Sequence, residues 1–174
     1  MSQSSPAARI QANLQELFQG KSVSGDPYVK FQLTSKITAL LSMKQVEATS
    51  IVEAALLTPL PNMPPTVVGI INSGDRVFCV FDLAQLLGLP SGLVNPRQYQ
   101  IIVLQTTDEQ PINLGLAVMG LQGIIRFPAA EIQTTTENFP AQLVPYLSGV
   151  IRQSENTFPI LKLDYILQLA QTTS

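Results

Sequence analysis

Residues Val67 to Leu83 read VVGIINSGDRVFCVFDL. Two apolar runs flank Ser73-Gly74-Asp75-Arg76, with Asn72 just before them. Strand, turn residues, strand is the pattern of a tight β-hairpin. The second run, Val77-Phe78-Cys79-Val80-Phe81, is apolar without alternation. A strand of that kind is expected to be covered on both faces. Asp82 is placed to cap a short helix over Leu83-Ala84-Gln85-Leu86-Leu87, and Gly88 to end it.

The same unit returns further along the chain. Tyr146 to Leu167 reads YLSGVIRQSENTFPILKLDYIL, and it aligns with the first unit at a constant displacement of 80 residues. Pro65 meets Pro145, Gly69 meets Gly149 and Ile71 meets Ile151. Phe78 meets Phe158, Val80 meets Ile160, Leu83 meets Leu163 and Leu86 meets Ile166. A strand–turn–strand–helix unit occurring twice implies two related modules rather than a solenoid. Each module is expected to hold about five short strands, enough for a small closed barrel. One face of Val77 to Phe81 then fills a barrel and the other lies under the sister module. Pro159 stands where the first copy has Cys79, so this point of the hairpin is expected to need no ladder hydrogen bond from its N–H.

Outward from the two hairpins, Tyr28 to Leu33 alternates as a half-buried strand, and Lys36 to Met43 reads as a second. Gln45 to Val52 reads as strand or irregular chain. Tyr99 to Leu104, Leu114 to Met119 and Leu121 to Phe127 read as further strands, the last two broken at Gly120. Pro128 to Pro140 is polar and is expected to be an exposed connector. Pro59 to Pro65 is too proline-rich for a helix or a central strand. Its Pro61-x-x-Pro64 spacing fits a polyproline ligand or, more simply, a rigid connector into the hairpin.

The N-terminus adds a different element. Ser5 can cap a helix, Pro6 suits its first position and Gly20 its end. Ile10, Leu14, Leu17 and Phe18 then share one face. The stripe either packs on the body of its own chain or docks on a partner. Lys21 to Pro27 reads as a linker.

Composition narrows the function. The chain has 174 residues, 45% of them hydrophobic and only 13% charged, with a formal net charge of −2. Lysines and arginines are scattered singly, so the basic stripe of a nucleic-acid surface or a polybasic membrane anchor is missing. No apolar run reaches the length of a membrane span, and the first residues lack the apolar core of a signal peptide. With one cysteine, Cys79, no internal disulfide forms, which fits a cytoplasmic setting. There is no histidine, which removes the commonest general base and zinc ligand together. Cys79 inside an apolar strand reads as an inert hydrophobe. Asp108-Glu109 reads as solvated loop, and no phosphate-binding or nucleophile motif is present. No catalytic residue, metal site or cofactor is expected.

These residues resemble a known family. Gly69-Ile70-Ile71-Asn72, followed by Val77 to Leu83 ending VFCVFDL, is similar to the signature hairpin of CheW-like proteins, the adaptors of chemotaxis-type signalling. The resemblance runs from Tyr28 to about Leu169 and leaves the N-terminal stripe outside it. It implies a mostly β fold of two SH3-like five-stranded β-barrel subdomains with short connecting helices. The division expected is an N-terminal helix and linker over residues 1–25 and a CheW-like domain of two interleaved barrels over 26–174. The family implies a non-enzymatic scaffold with two partners: the regulatory domain of a CheA-type histidine kinase and the cytoplasmic tip of a methyl-accepting chemoreceptor. It implies recruitment to membrane-associated receptor arrays without membrane insertion, in a motility pathway. Glu47 and Gly69 match family positions near the receptor-binding groove. The family's contact arginine after the asparagine falls on Gly74 here, and Arg76 stands two residues on. The candidate partner-binding residues are therefore Glu47, Gly69, Asn72, Gly74 and Arg76, with Ile10, Leu14, Leu17 and Phe18 as a possible docking helix. The competing reading is a small barrel that binds a ligand or single-stranded nucleic acid on an aromatic face. Aromatics at 6% and the absence of tryptophan weigh against it.

Overall fold

The structure is a computed structural model that describes residues 25–106, 109–135 and 138–173. The expected N-terminal helix, with Ile10, Leu14, Leu17 and Phe18, lies outside the described residues. Among the described residues eleven strands form two sheets. In chain order they are β1 (Asp26–Gln32), β2 (Thr38–Ser42), β3 (Val46–Glu53), β4 (Leu57–Thr58), β5 (Val67–Ser73) and β6 (Arg76–Asp82). Then come β7 (Gln98–Gln105), β8 (Asn113–Val118), β9 (Gly120–Phe127), β10 (Leu147–Gln153) and β11 (Asn156–Leu161). Helix α1 (Leu83–Leu86) follows β6, and helix α2 (Leu163–Thr173) follows β11. Among the described residues no helix is long and apolar enough to cross a membrane.

One sheet has the order β10-β11-β2-β1-β9 and the other β3-β7-β8-β6-β5-β4. The second is built from one continuous stretch, β3 to β8. The first takes β1 and β2 from before that stretch and β9 to β11 from after it. The modules are therefore interleaved along the chain. Their strand orders correspond: β3 to β9, β7 to β1, β8 to β2, β6 to β11 and β5 to β10. Even the parallel pairs match, β6 with β8 and β11 with β2.

The strand ladders differ in one respect from closed five-stranded rings. The edge strands β3 and β4 of the six-stranded sheet are not paired to each other. They are consecutive segments joined by a 3-10 turn at Ala54–Leu56. After β9 the chain makes the same turn at Ala129–Glu131, and Gln133 then bridges Val150 of β10. The segment expected to be a plain connector thus carries a 3-10 turn and a bridge, because it occupies the place that β4 takes in the first module.

Alternation explains the apolar runs. Along β7, Ile101 and Val103 face one core while Ile102 and Leu104 face another. Along β2, Leu40 turns to one side and Ala39 and Leu41 to the other. The core on the common side is shared by both sheets and both helices. It includes Phe31, Leu41, Phe81, Leu116, Leu161 and Ile166. Each sheet also wraps a private core: Phe78, Val80 and Ile101 in one, Tyr28, Ile151 and Phe158 in the other. Strands lying between two cores lose the polar half of the period-2 pattern. The expectation of full burial needs correction at Val77, which is 63% exposed. It lies at the hairpin tip, beyond the edge of both cores.

The private cores end differently. Lys30 of β1 lays its ammonium over the Phe158 ring, 4.7 Å from the centroid. The corresponding place in the other module is Val103, which packs with Phe78. A cation–π contact thus covers one ring where an aliphatic contact covers the other.

Pro159 is accommodated for a reason that the ladder supplies. Val150, opposite Pro159, exchanges both backbone hydrogen bonds with Gln133, so it makes none to Pro159. The parallel pairing of β11 with β2 begins only at Ile160. The missing N–H therefore leaves no gap.

Asp82 caps α1 as expected: its carboxylate accepts from the Gln85 N–H at 3.3 Å. It is buried, 4% exposed, and also accepts from the Ser91 hydroxyl, whose oxygen takes the Leu93 N–H. The cap therefore ties the loop after α1 to the hairpin. Gly88 closes the helix at φ +76, a conformation that favours glycine. Asp82→Ala removes both bonds and is expected to cost about 2 kcal/mol. Urea melts of the two proteins measure it, and a loss below about 0.5 kcal/mol contradicts the capping role.

Candidate partner-binding surface

The β5–β6 hairpin is tighter than its four polar residues suggest. Ser73 and Arg76 pair as strand ends, leaving Gly74 and Asp75 as a two-residue turn. Gly74 has φ +62, and a Cβ there meets nothing within 4 Å. A left-handed first turn residue is what a two-residue hairpin needs to match the strand twist. The second hairpin does the same with Ser154 at φ +55. Gly74 is thus a turn residue at a tip where an added side chain would face open space.

Two of the sequence-predicted residues meet. The Arg76 guanidinium donates from Nη1 to Glu47 Oε1. The pair ties the hairpin tip to the start of β3. It remains partly open to solvent, with the Arg76 side chain 51% exposed. Asn72 is exposed beside it, opposite Val77. Gly69 stands apart from this surface. It is buried at a β-bulge between Val67 and Gly69, where an added Cβ falls 2.6 Å from the Thr58 carbonyl oxygen. Its repeat mate Gly149 sits at the equivalent bulge, 2.9 Å from the Gln133 carbonyl oxygen on the same measure. Both glycines let the segment after the 3-10 turn pass close to the strand.

A groove of about 410 Å³ opens next to Glu47, where β3 of one sheet faces β9 of the other. Val46, Ala48 and Thr49 form one wall, and Leu121, Gly123 and Ile124 the other. Val29 is the floor and Met43 closes one side. Among the described residues, no charged side chain lines it. Ile124 is 56% exposed at its rim. Gly123 and Leu121 sit where the β1–β9 register shifts, between Lys30 and Phe31. None of the groove residues was among the candidates from sequence. The signal that pointed near them was the match at Glu47, whose neighbours Val46 and Ala48 face the groove.

Burial pushes the Cys79 thiol up. The Tyr28 and Tyr99 hydroxyls are raised by burial first, then by Asp26 and Asp82 respectively. Among the described residues no three His, Cys, Asp or Glu side chains come together as a metal site would require. The arrangement offers an ion pair, a tight hairpin tip and a groove between the two sheets, features that can take part in binding a partner.

A family model for the CheW-like domain matches residues 28–171. The fold is also similar to a solved structure, the scaffolding protein TtCheW from Thermoanaerobacter tengcongensis. The TM-score is 0.66 at 20% sequence identity, with 82% of this chain and 92% of that chain covered. None of the curated proteins matches. The family model spans both sheets, both hairpins and most of α2, and on that extent the chain belongs to the CheW-like domain family.

Proposed function

We propose that this protein is a non-enzymatic adaptor that couples chemoreceptors to a CheA-type histidine kinase in a chemosensory pathway. The observation that carries the reading is the CheW-like match over residues 28–171. We read residues 26–174 as one such unit, with each sheet closing into an SH3-like barrel through its 3-10 turn. The β5–β6 hairpin, with Asn72, Gly74 and Arg76, is the surface for the kinase's regulatory domain, and Glu47, paired to Arg76, stands between it and the receptor groove. The uncharged groove between β3 and β9 suits the apolar face of a receptor's helical tip. Work at the cytoplasmic face of a receptor array follows from those partners, and the output is transmitted receptor state.

Gly74 in place of the family arginine shifts the positive charge to Arg76, which Glu47 holds in position. Calorimetry with the regulatory domain of a CheA-type kinase from the same source tests the reading. Wild-type protein is expected to bind with micromolar affinity. Arg76→Glu places two carboxylates together and is expected to weaken binding at least about tenfold. An exposed ion pair contributes only about 0–1 kcal/mol to stability, so the melting curve should move little. Undetectable wild-type binding overturns the adaptor role. Equal binding by Arg76→Glu keeps the role but removes the hairpin tip from the interface.

A further inference from the structure

The two private cores are closed differently at the end away from the hairpin tips. In the first module that end is apolar. Ile101 and Ala117 belong to its core, and Val68 and Leu93 pack against it. Leu93 comes from the loop after α1, which Ser91 ties to the Asp82 carboxylate. In the second module the same strand positions carry polar groups. The register puts Ser148 at the place of Val68, Tyr28 at that of Ile101 and Ser42 at that of Ala117. Lys162 takes the place of Asp82. These four residues line a cavity of about 400 Å³, a size that suits a small ligand.

A lysine side chain has no acceptor, so Lys162 cannot cap α2 as Asp82 caps α1. Its carbonyl accepts from the Ile166 N–H at 3.2 Å, and the first turn of α2, Leu163 to Tyr165, borders the same cavity. The amides of that turn have no partner within the helix. Tyr28 supplies a second, independent donor. It is 7% exposed, and its hydroxyl is hydrogen-bonded to none of the described residues. Asp26, which also lines the cavity, acts electrostatically on that hydroxyl, so the hydroxyl lies at the cavity. Burial and Asp26 both push its pKa up, which keeps it a donor. Lys44 and Lys162 line the cavity together with Asp26 and Asp164, so the charges of its walls cancel. Converging donors in a lining of no net charge suit one negative charge rather than two.

We propose that this cavity binds a small organic monocarboxylate. The carboxylate takes the place that the Asp82 side chain holds in the first module. It accepts from the first-turn amides of α2, from the Tyr28 hydroxyl and from Lys162, whose ammonium rests 4.8 Å from the Tyr165 ring centroid. A short apolar tail lies against Ile160 and Leu161. The site does not depend on the coupling role.

Amide NMR on the full chain tests it, with sodium butyrate as the probe and sodium chloride and sodium phosphate at matched ionic strength beside it. Butyrate is expected to shift the Leu163, Asp164 and Tyr165 amides along a saturating curve, with a Kd of about 1 mM, within reach of so small a ligand. Their repeat mates Leu83, Ala84 and Gln85 should stay in place. Tyr28→Phe keeps the ring and removes one donor to a charged group, so its Kd is expected to rise about tenfold. Lys162→Asp supplies the carboxylate from the chain itself and should abolish the response. If that variant does not fold, Tyr28→Phe decides. Equal amide shifts in butyrate and chloride overturn the proposal, and so does a butyrate response unchanged in Tyr28→Phe. Phosphate binding more tightly than butyrate overturns the carboxylate assignment. Kinase binding by calorimetry decides the adaptor reading separately.

Discussion

Gly69→Ala is expected to destabilise the protein by about 3 kcal/mol, the upper end of what an overpacked methyl costs. The reason is the identity of the atom it meets. An added Cβ lies 2.6 Å from the Thr58 carbonyl oxygen and 3.0 Å from its carbon. Backbone on both sides of the contact belongs to paired strands, β4 and β5, so neither side can yield cheaply. The other glycines grade the effect. At Gly149 the nearest atom is the Ile132 Cγ2, at 2.5 Å, which can rotate away, and the Gln133 carbonyl oxygen follows at 2.9 Å. Gly149→Ala should therefore cost less than Gly69→Ala. Gly74→Ala meets no atom and bears only the left-handed backbone cost, about 1 kcal/mol. Urea melts of the three variants should rank them in that order. A Gly69→Ala protein no less stable than Gly74→Ala would remove the close approach between β4 and β5. The ranking also explains why a bulky change at Gly69 is a poor probe of partner binding: the fold suffers before the surface does.

Phe31→Ala is expected to cost about 3–5 kcal/mol and to loosen both sheets together. Phe31 is fully buried in the shared core, where side chains of both sheets and both helices pack. Ile151→Val trims a private core and should cost about 0.5–1.5 kcal/mol. Both variants are expected to unfold in one transition, because the largest core is built from side chains of both sheets and both helices. Amide exchange gives the direct readout. Leu40 in one sheet and Ile101 in the other should open with the same free energy in wild type, and both should fall by the same amount in Phe31→Ala. Separate opening energies, or a biphasic melt, would mean that the two modules fold independently.

Local chemistry was readable because its causes are local. Asp82 caps α1, Gly88 ends it and Gly74 makes the turn, each within a few residues of its partner. The displacement of 80 residues survived in the sequence because both hairpins pack against the same kinds of core. Boundaries shifted slightly: β9 begins at Gly120, where the sequence placed a break, since Gly120 still pairs with Gln32 of β1. Burial at the hairpin tip was misread for a different reason. Val77 is as apolar as its neighbours, and a run without alternation carries no mark of where the covering layer stops.

The sequence by itself determined that the chain is a twofold repeat of a strand–turn–strand–helix unit and that its hairpins and caps close as they do. It also carried the family resemblance. Only the tertiary structure decided the rest. The parallel pairings of β6 with β8 and β11 with β2 join segments some 35 and 120 residues apart. The Glu47–Arg76 pair spans 29 residues, and the groove is assembled from β1, β3 and β9. Each of these depends on which distant segments lie side by side, and the energy of that choice comes from three cores filled at once. No window of the chain contains it.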